Sequence, residues 1–266
     1  MKIVVKIGGQ AVEAPELRRS LARQIRELRR SGHQVVVVHG GGKLLTETLQ
    51  RLGIPTEFHE GLRVTDAATR DVALMVLAGI VNKQWVAELE AQGQRALGIC
   101  GGDAGLVAAR KVLMRSNGQG KDLGFVGRPR RVSTAVLEMA FGSGLVPVVA
   151  SVALGPGGEY YNINADDLAA ALAAALRADR LLYLTESGGV WDAERHLLPV
   201  VKLGEIPSLI RRGVVRDGMI PKLRSCARTL RHDVGEIDIL SPAAPKALLR
   251  AVAGKDPAGT RIVKQA

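Results

Sequence analysis

Short runs of β-branched residues alternate along the chain with longer stretches in which apolar residues recur every three or four positions. Residues 2–7 (KIVVKI) place Ile3, Val4 and Val5 in succession, with none of the polar alternation of a half-exposed strand, which predicts a strand buried on both faces. Gly8 and Gly9 follow at once. Across 14–30, Leu17, Leu21, Ile25 and Leu28 are spaced for one face of a helix, and Gly32 supplies its C-terminal stop. Residues 34–39 read as a second buried strand. Gly40, Gly41 and Gly42 then lead into a helical stretch carrying Leu44, Leu45, Leu49 and Leu52, closed by Gly53. Thr65 or Asp66 is placed to cap a long helix through Val72, Met75, Val76, Trp85 and Leu89 that ends near Gly93.

The pattern continues with a strand over 95–100 and two β-prone runs within 106–132. The polar cluster 116–124 between those runs predicts a hairpin laid beside the main sheet. Ser133 opens a further helix, 145–154 reads as one strand, 155–158 as a turn, and the polar run 162–167 leads into an Ala-rich helix. A strand over 180–185, a helix over 221–231, a strand over 236–240 and a helix over 245–252 complete the series. Regular alternation of this kind predicts an α/β fold with a mainly parallel sheet and helices on both faces. There is no internal repeat or long linker, so a division of the chain falls softly near 174–179, separating 1–175 from 176–266.

Composition narrows the class. With 266 residues, the chain is long enough to bury a large core without disulfides, and its 31 Gly and 11 Pro punctuate apolar runs instead of forming low-complexity tracts. A formal net charge of +11 favours anionic ligands. Cys100 and Cys226 are the only cysteines and lie far apart, so no disulfide framework is expected and a reducing cytoplasm fits. The apolar runs 72–81 and 168–176 are shorter than the roughly 18 residues of a membrane span, and the N-terminus lacks the pattern of a cleaved signal. A cytoplasmic protein without membrane contact is the expectation.

Glycine loops after strands let backbone N–H groups approach phosphate oxygens, and a helix that begins there adds its positive end. Gly8-Gly9 and Gly40-Gly41-Gly42 are two such loops, although either alone is commonly just a turn. A P-loop is excluded because Leu44 follows Gly42-Lys43 and Val37 stands at the motif's first glycine; Leu45 breaks the dinucleotide fingerprint. Lys6 ends an apolar strand, where its ammonium either meets an anion or snorkels to water. Lys222 follows Pro221 at a helix start, where a cation is unfavourable unless an anion binds; a solvated lysine is the alternative. Asn162, Asn164, Asp166 and Asp167 crowd a helix start where capping needs fewer polar residues. One carboxylate there could orient lysines while an amide grips substrate. Arg63 could fork onto a carboxylate. The five histidines show no metal-ligand spacing, so no protein-built metal site is expected. Arg128, Arg130 and Arg131 form a basic cluster, but aromatics are only 3% of the chain, so base stacking has little to work with and no nucleic-acid partner is expected.

Five ordered motifs resemble those of the amino acid kinase family: KIGG (6–9), HGGG (39–42), GLRVTD (61–66), NINAD (162–166) and DGMIPK (217–222). The resemblance covers nearly the whole chain. It implies an open αβα sandwich in which 1–175 hold the acyl acceptor and 176–266 hold ATP. It also implies phosphorylation of the side-chain carboxylate of N-acetyl-L-glutamate, the second step of arginine synthesis, with Mg2+ carried mainly by the nucleotide phosphates. By resemblance, Lys6 and Lys222 stabilise the transferring phosphoryl group and Asp166 holds both lysines. Gly8, Gly9, Gly41 and Gly42 cradle phosphate and substrate, Arg63 and Asn162 grip the acceptor, and the loop with Thr185, Gly188 and Gly189 lies near the nucleotide. Gln10 after KIGG departs from the expected pattern. Arginine-inhibited relatives carry an extra helix before the first strand, so weak or absent arginine inhibition and a homodimer are expected here. Two rivals stand beside this reading: a carboxylate kinase acting on a protein-carried aminoadipate derivative, and a non-catalytic regulator that binds an anion or nucleic acid. GLRVTD counts against the first, and both lysines with Asp166 against the second.

Overall fold

A computed structural model describes residues 1–116, 119–192, 194–215, 219–254 and 258–265. Asp217 and Gly218 of the DGMIPK motif, and positions 117 and 118 of the expected hairpin cluster, lie outside the described residues. Numbered along the chain, the strands are β1 (Lys2–Ile7), β2 (Gln34–His39), β3 (Phe58–His59), β4 (Leu62–Arg63), β5 (Ala96–Cys100), β6 (Val107–Ser116), β7 (Gln119–Val132), β8 (Val146–Ala150), β9 (Val152–Leu154), β10 (Tyr160–Ile163), β11 (Arg180–Leu184), β12 (Val200–Lys202), β13 (Glu236–Leu240) and β14 (Gly259–Val263).

Eight of them form one sheet in the order β12, β14, β13, β11, β1, β2, β8, β5. From β13 to β5 every neighbouring pair is parallel; β14 runs antiparallel to β13 and pairs in parallel with β12. The side chains of β1 explain its unbroken apolar run. Ile3, Val5 and Ile7 enter one core layer with Val35 and Val37, whereas Val4 enters the other with Val36 and Val38. Helices Pro15–Arg30, Ala67–Ala91 and Ala247–Val252 cover the first face. Helices Ala135–Gly142, Ala165–Leu176 and Met219–Leu230 cover the second. The αβα sandwich is therefore present, with β2, β8 and β5 added on one side of β1 and β11 and β13 on the other. The carboxyl ends of such central strands are where an open α/β sheet leaves its ligand crevice.

Three of the elements read from the sequence differ from expectation. The single strand read over 145–154 is two, because the chain changes sheets at Ser151: β8 stays in the central sheet and β9 leaves it to pair with β10. The hairpin β6–β7 is more than an appendage. With β9 and β10 it closes a four-stranded barrel. The long helix Ala67–Ala91 forms, capped by Asp66, whose carboxylate accepts from the Thr69 amide at 2.8 Å. Its segment Leu74–Val81 is wound as a π-helix. By length and composition this helix passes as a membrane span, yet Val72, Val76, Leu77, Val81, Trp85 and Leu89 are packed into the core.

Candidate active site

The alternation of β1 turns Lys6 to the same face as Val4, toward helix Ala165–Leu176, and its register sets it beside Val38 of β2 and Tyr183 of β11. Lys6 Nζ stands 2.7 Å from Asp166 Oδ1. Asp166 is placed by the helix start: the Asn164 side-chain oxygen accepts from the backbone N–H of Asp166 at 2.8 Å and of Asp167 at 3.3 Å. That cap holds the carboxylate in the first turn, where the helix dipole favours an anion. Lys222 lies in the first turn of Met219–Leu230 and donates to Asp166 Oδ2 at 2.5 Å, with its Nζ 5.1 Å from the centre of the Tyr183 ring. One carboxylate thus bridges two ammonium groups. Burial pushes the Asp166 carboxyl up, but Lys6 and Lys222 outweigh it and hold the group down at about 2. Two cations against one anion leave the cluster electropositive at a part-buried position, which an incoming phosphate would neutralise.

Lys6 and Asp166 line a cavity of about 270 Å³ together with Gly8, Gly9, Gly41, Gly42, Arg63 and Asn162. Two of the glycines there are required sterically. Gly9 has φ +56°, and a Cβ on it would stand 2.7 Å from Glu186 Oε1. Gly41 has φ +153°, and a Cβ would stand 2.9 Å from Leu77 Cδ2 and 3.0 Å from Val81 Cγ2. Helix Gly42–Arg51 begins directly after this loop, so its unpaired N–H groups join the cavity wall.

Beneath the second loop lies a contact that was not read from the sequence. The fully buried His39 donates from Nδ1 to the Gly40 carbonyl at 2.8 Å, and its Nε2 accepts from Asn82 Nδ2 at 3.2 Å. Asn82 also donates to the Val148 carbonyl at 2.9 Å. A carbonyl on one ring nitrogen and an amide donor on the other fix a neutral tautomer. Burial agrees, lowering the imidazole to about 4. Spacing rules for metal ligands were blind to this role, since a carbonyl and an amide leave no sequence signature.

Arg63 is buried, and its guanidinium stacks 4.6 Å from the centre of the Phe58 ring. Its Nη2 donates to the Gly42 carbonyl at 3.0 Å and to Thr46 Oγ1 at 2.7 Å. The side chain is thereby oriented, with N–H groups to spare for a ligand carboxylate. Asn162 Nδ2 reaches Thr65 Oγ1 at 3.4 Å. Thr185, Gly188 and Gly189 are not among the residues lining this cavity. They form the turn after β11, closed by the Gly188 amide donating to the Thr185 carbonyl at 3.0 Å. Gly189 instead lines a separate cavity of about 330 Å³ with Val190, Trp191, Val215 and Met219. Among the described residues no group of three or more His, Cys, Asp or Glu side chains could hold a metal ion.

The chain resembles known proteins in both sequence and fold. The sequence model of the amino acid kinase family matches residues 1–241. The acetylglutamate kinase of Koribacter versatilis is 49% identical over 248 residues, covering 93% of either chain, and that of Acidobacterium capsulatum is 45% identical over 263 residues, covering 99% of either. Among solved structures, N-acetylglutamate synthase from Neisseria gonorrhoeae in complex with coenzyme A and N-acetyl-glutamate superposes with TM-score 0.87 at 26% identity, over 100% of this chain and 60% of that one. Carbamate kinase from Giardia lamblia bound to AMP-PNP shares the fold, with TM-score 0.66 at 17% identity over 98% of each chain.

Proposed function

The chain belongs to the amino acid kinase family, and from that premise we propose that it transfers the γ-phosphoryl group of ATP to the side-chain carboxylate of N-acetyl-L-glutamate, in arginine biosynthesis. The observation that carries the reading is the Lys6–Asp166–Lys222 bridge, set beside two glycine loops and an oriented Arg63. Arg63 and Asn162 hold the acceptor's α-carboxylate and its neighbouring polar groups. A carboxylic acid with a pKa of about 4.3 is ionised at neutral pH, so its oxygen attacks without a general base. As the new O–P bond forms, the bond from the γ-phosphorus to the bridging oxygen of ADP breaks, and ADP leaves with the electron pair. No proton has to move.

The protein's task is therefore position and charge. Lys6 and Lys222 face the equatorial oxygens of the transferring group, Asp166 keeps the two ammoniums at a fixed separation, and the loop N–H groups at Gly8, Gly9, Gly41 and Gly42 supply uncharged donors. The cavity beside Gly189, walled by Val190, Trp191 and Met219, suits an adenine ring. These residues fit a nucleotide whose phosphates carry Mg2+, because they offer cations and N–H donors where a protein-built metal site would need free carboxylates. When bound, the ion neutralises charge on the phosphates.

The reaction runs in the cytoplasm on this reading, and the enzyme is a homodimer. Met75 and Ile80 on Ala67–Ala91 and Met139 on Ala135–Gly142 are exposed on the two faces of the sheet, and β5 is an edge strand of it, which offers a second copy apolar side chains from both layers and a strand edge. The test is Mg-ATP-dependent acyl phosphate formation trapped with hydroxylamine, offered N-acetylglutamate, glutamate, aspartate and N-acetylaminoadipate. A strong preference for N-acetylglutamate, lost in Lys222→Ala, is expected. Turnover of N-acetylaminoadipate in preference, or of no acceptor, would refute the reading.

A further inference from the structure

A cavity of about 410 Å³ opens between the β6–β7 hairpin and helices Ala165–Leu176 and Met219–Leu230, and it shares no lining residue with the catalytic cavity. Arg110 of β6 and Arg128 of β7 line it from directly opposed positions in the ladder, and Arg228 enters it from the second helix. Like charges directly opposite each other weaken a sheet, so this pairing works against the stability of the hairpin. Among the described residues none of the three exposed guanidiniums makes a hydrogen bond or a salt bridge, although the Asp167 carboxylate lies within electrostatic reach of Arg128 and Arg228. Three guanidiniums thus face one carboxylate in a concavity floored by Ala170, Ala171 and Ala174. A cluster of like charges larger than its one carboxylate can balance is where a functional site is expected.

We propose that this cavity is a second anion site, which takes a compact dianion of the phosphate-ester or dicarboxylate class held by the forks of Arg110, Arg128 and Arg228. Guanidinium groups pair in this bidentate manner with phosphoryl and carboxylate oxygens alike. The volume lies in the range of small-molecule pockets, and a concave site floored by alanines, without an aromatic platform, fits a compact solute in place of a nucleic-acid strand. Its position gives the occupant leverage. Asp167 directly follows Asp166, and Arg228 shares a helix with Lys222, so a bound dianion ties the barrel to the two helices that carry the catalytic ion bridge.

The experiment is thermal unfolding of the full chain with its catalytic cavity filled by AMP-PNP and N-acetylglutamate. Sulfate and malonate, as probes of the phosphoryl and dicarboxylate classes, are titrated against sodium chloride at matched ionic strength. At least one probe is expected to raise Tm along a saturating curve, and in Arg128→Gln/Arg228→Gln its midpoint concentration is expected to rise about tenfold. Arg228→Lys, which keeps the charge and loses the fork, should fall between, and Arg110→Gln alone serves if the double variant does not fold. Activity of Arg228→Gln without added anion should stay within about twofold of the native chain, because no part of the transfer machinery is removed. A rise that is linear in both probes, equal to that in chloride, or unchanged in the variants would overturn the proposal.

Discussion

Replacing Asp166 by Asn removes one charge and little else, which isolates the ion bridge. In the native chain the carboxyl lies at about 2 instead of 3.8, with the side chain only 23% exposed. Holding it there corresponds to about 2 kcal/mol of stability at neutral pH. The sign follows from a depressed acid: this contribution is complete above about pH 4 and disappears as the pH falls toward 2. The variant also leaves Lys6 and Lys222 facing each other without a counter-ion. A chain of this length loses about 2–4 °C of Tm per kcal/mol, so Asp166→Asn should melt about 4–8 °C lower at pH 7, and the gap should close as the pH falls below 4. Catalysis should suffer more than folding. With their common anchor gone, the ammoniums no longer meet the transferring phosphoryl group together, and kcat should fall about 10²–10³-fold. Arg63 and Asn162 are untouched, so KM for the acceptor should stay within about threefold. Hydroxamate trapping under saturating ATP, alongside melting curves from pH 3 to 8, reads both effects. A folded variant whose kcat lies within threefold of native would refute the positioning role of Asp166.

Two further outcomes follow from the cavity and the layer beneath it. Arg63→Lys keeps the charge but loses the planar fork and the stacking on Phe58, so KM for the acceptor should rise about 10–100-fold with a smaller change in kcat, as steady-state kinetics would read; a larger change in kcat than in KM would place Arg63 on the phosphoryl group instead. His39, lowered by burial from 6.5 to about 4, stabilises the fold fully above pH 6.5 and progressively less as the pH falls toward 4; His39→Gln should flatten that interval by up to about 3 kcal/mol in urea titrations, and equal slopes in the two proteins would contradict the neutral tautomer.

The fold was legible wherever burial on both faces leaves an unbroken apolar run. β1, β2 and β11 are strands of this kind, and helix Pro15–Arg30 shows the complementary signal of one apolar stripe. What stayed hidden depends on contacts distant in sequence. Nothing local marks Ser151 as the point where the chain leaves one sheet for another, because Val148, Val149 and Val152 are equally buried on either side of it. β12 is only three residues long and β14 is interrupted by Arg261, so neither shows an unbroken apolar run, and each is defined by its pairing, β12 with β14 and β14 with β13.

The site divides along the same physical line. Lys6 was conspicuous because a charge stands in an apolar run, and the crowd from Asn162 to Asp167 because a helix start does not need four such residues. In the structure these two anomalies are one object: Asn164 caps the helix, the cap fixes Asp166, and Asp166 satisfies the lysine that the strand could not. His39 and Asn82 sent no such signal, since a buried His and a helical Asn are each unremarkable until the Gly40 carbonyl and β8 are brought to them. The charge-bearing parts of this site therefore announce themselves in the sequence as costs without local compensation, whereas its neutral hydrogen-bonded supports cost nothing locally and become visible only once the chain is folded. The opposed Arg110 and Arg128 belong to neither kind alone: each is a charge, but only the folded hairpin sets them opposite one another, and neither the core nor the catalytic cavity accounts for that.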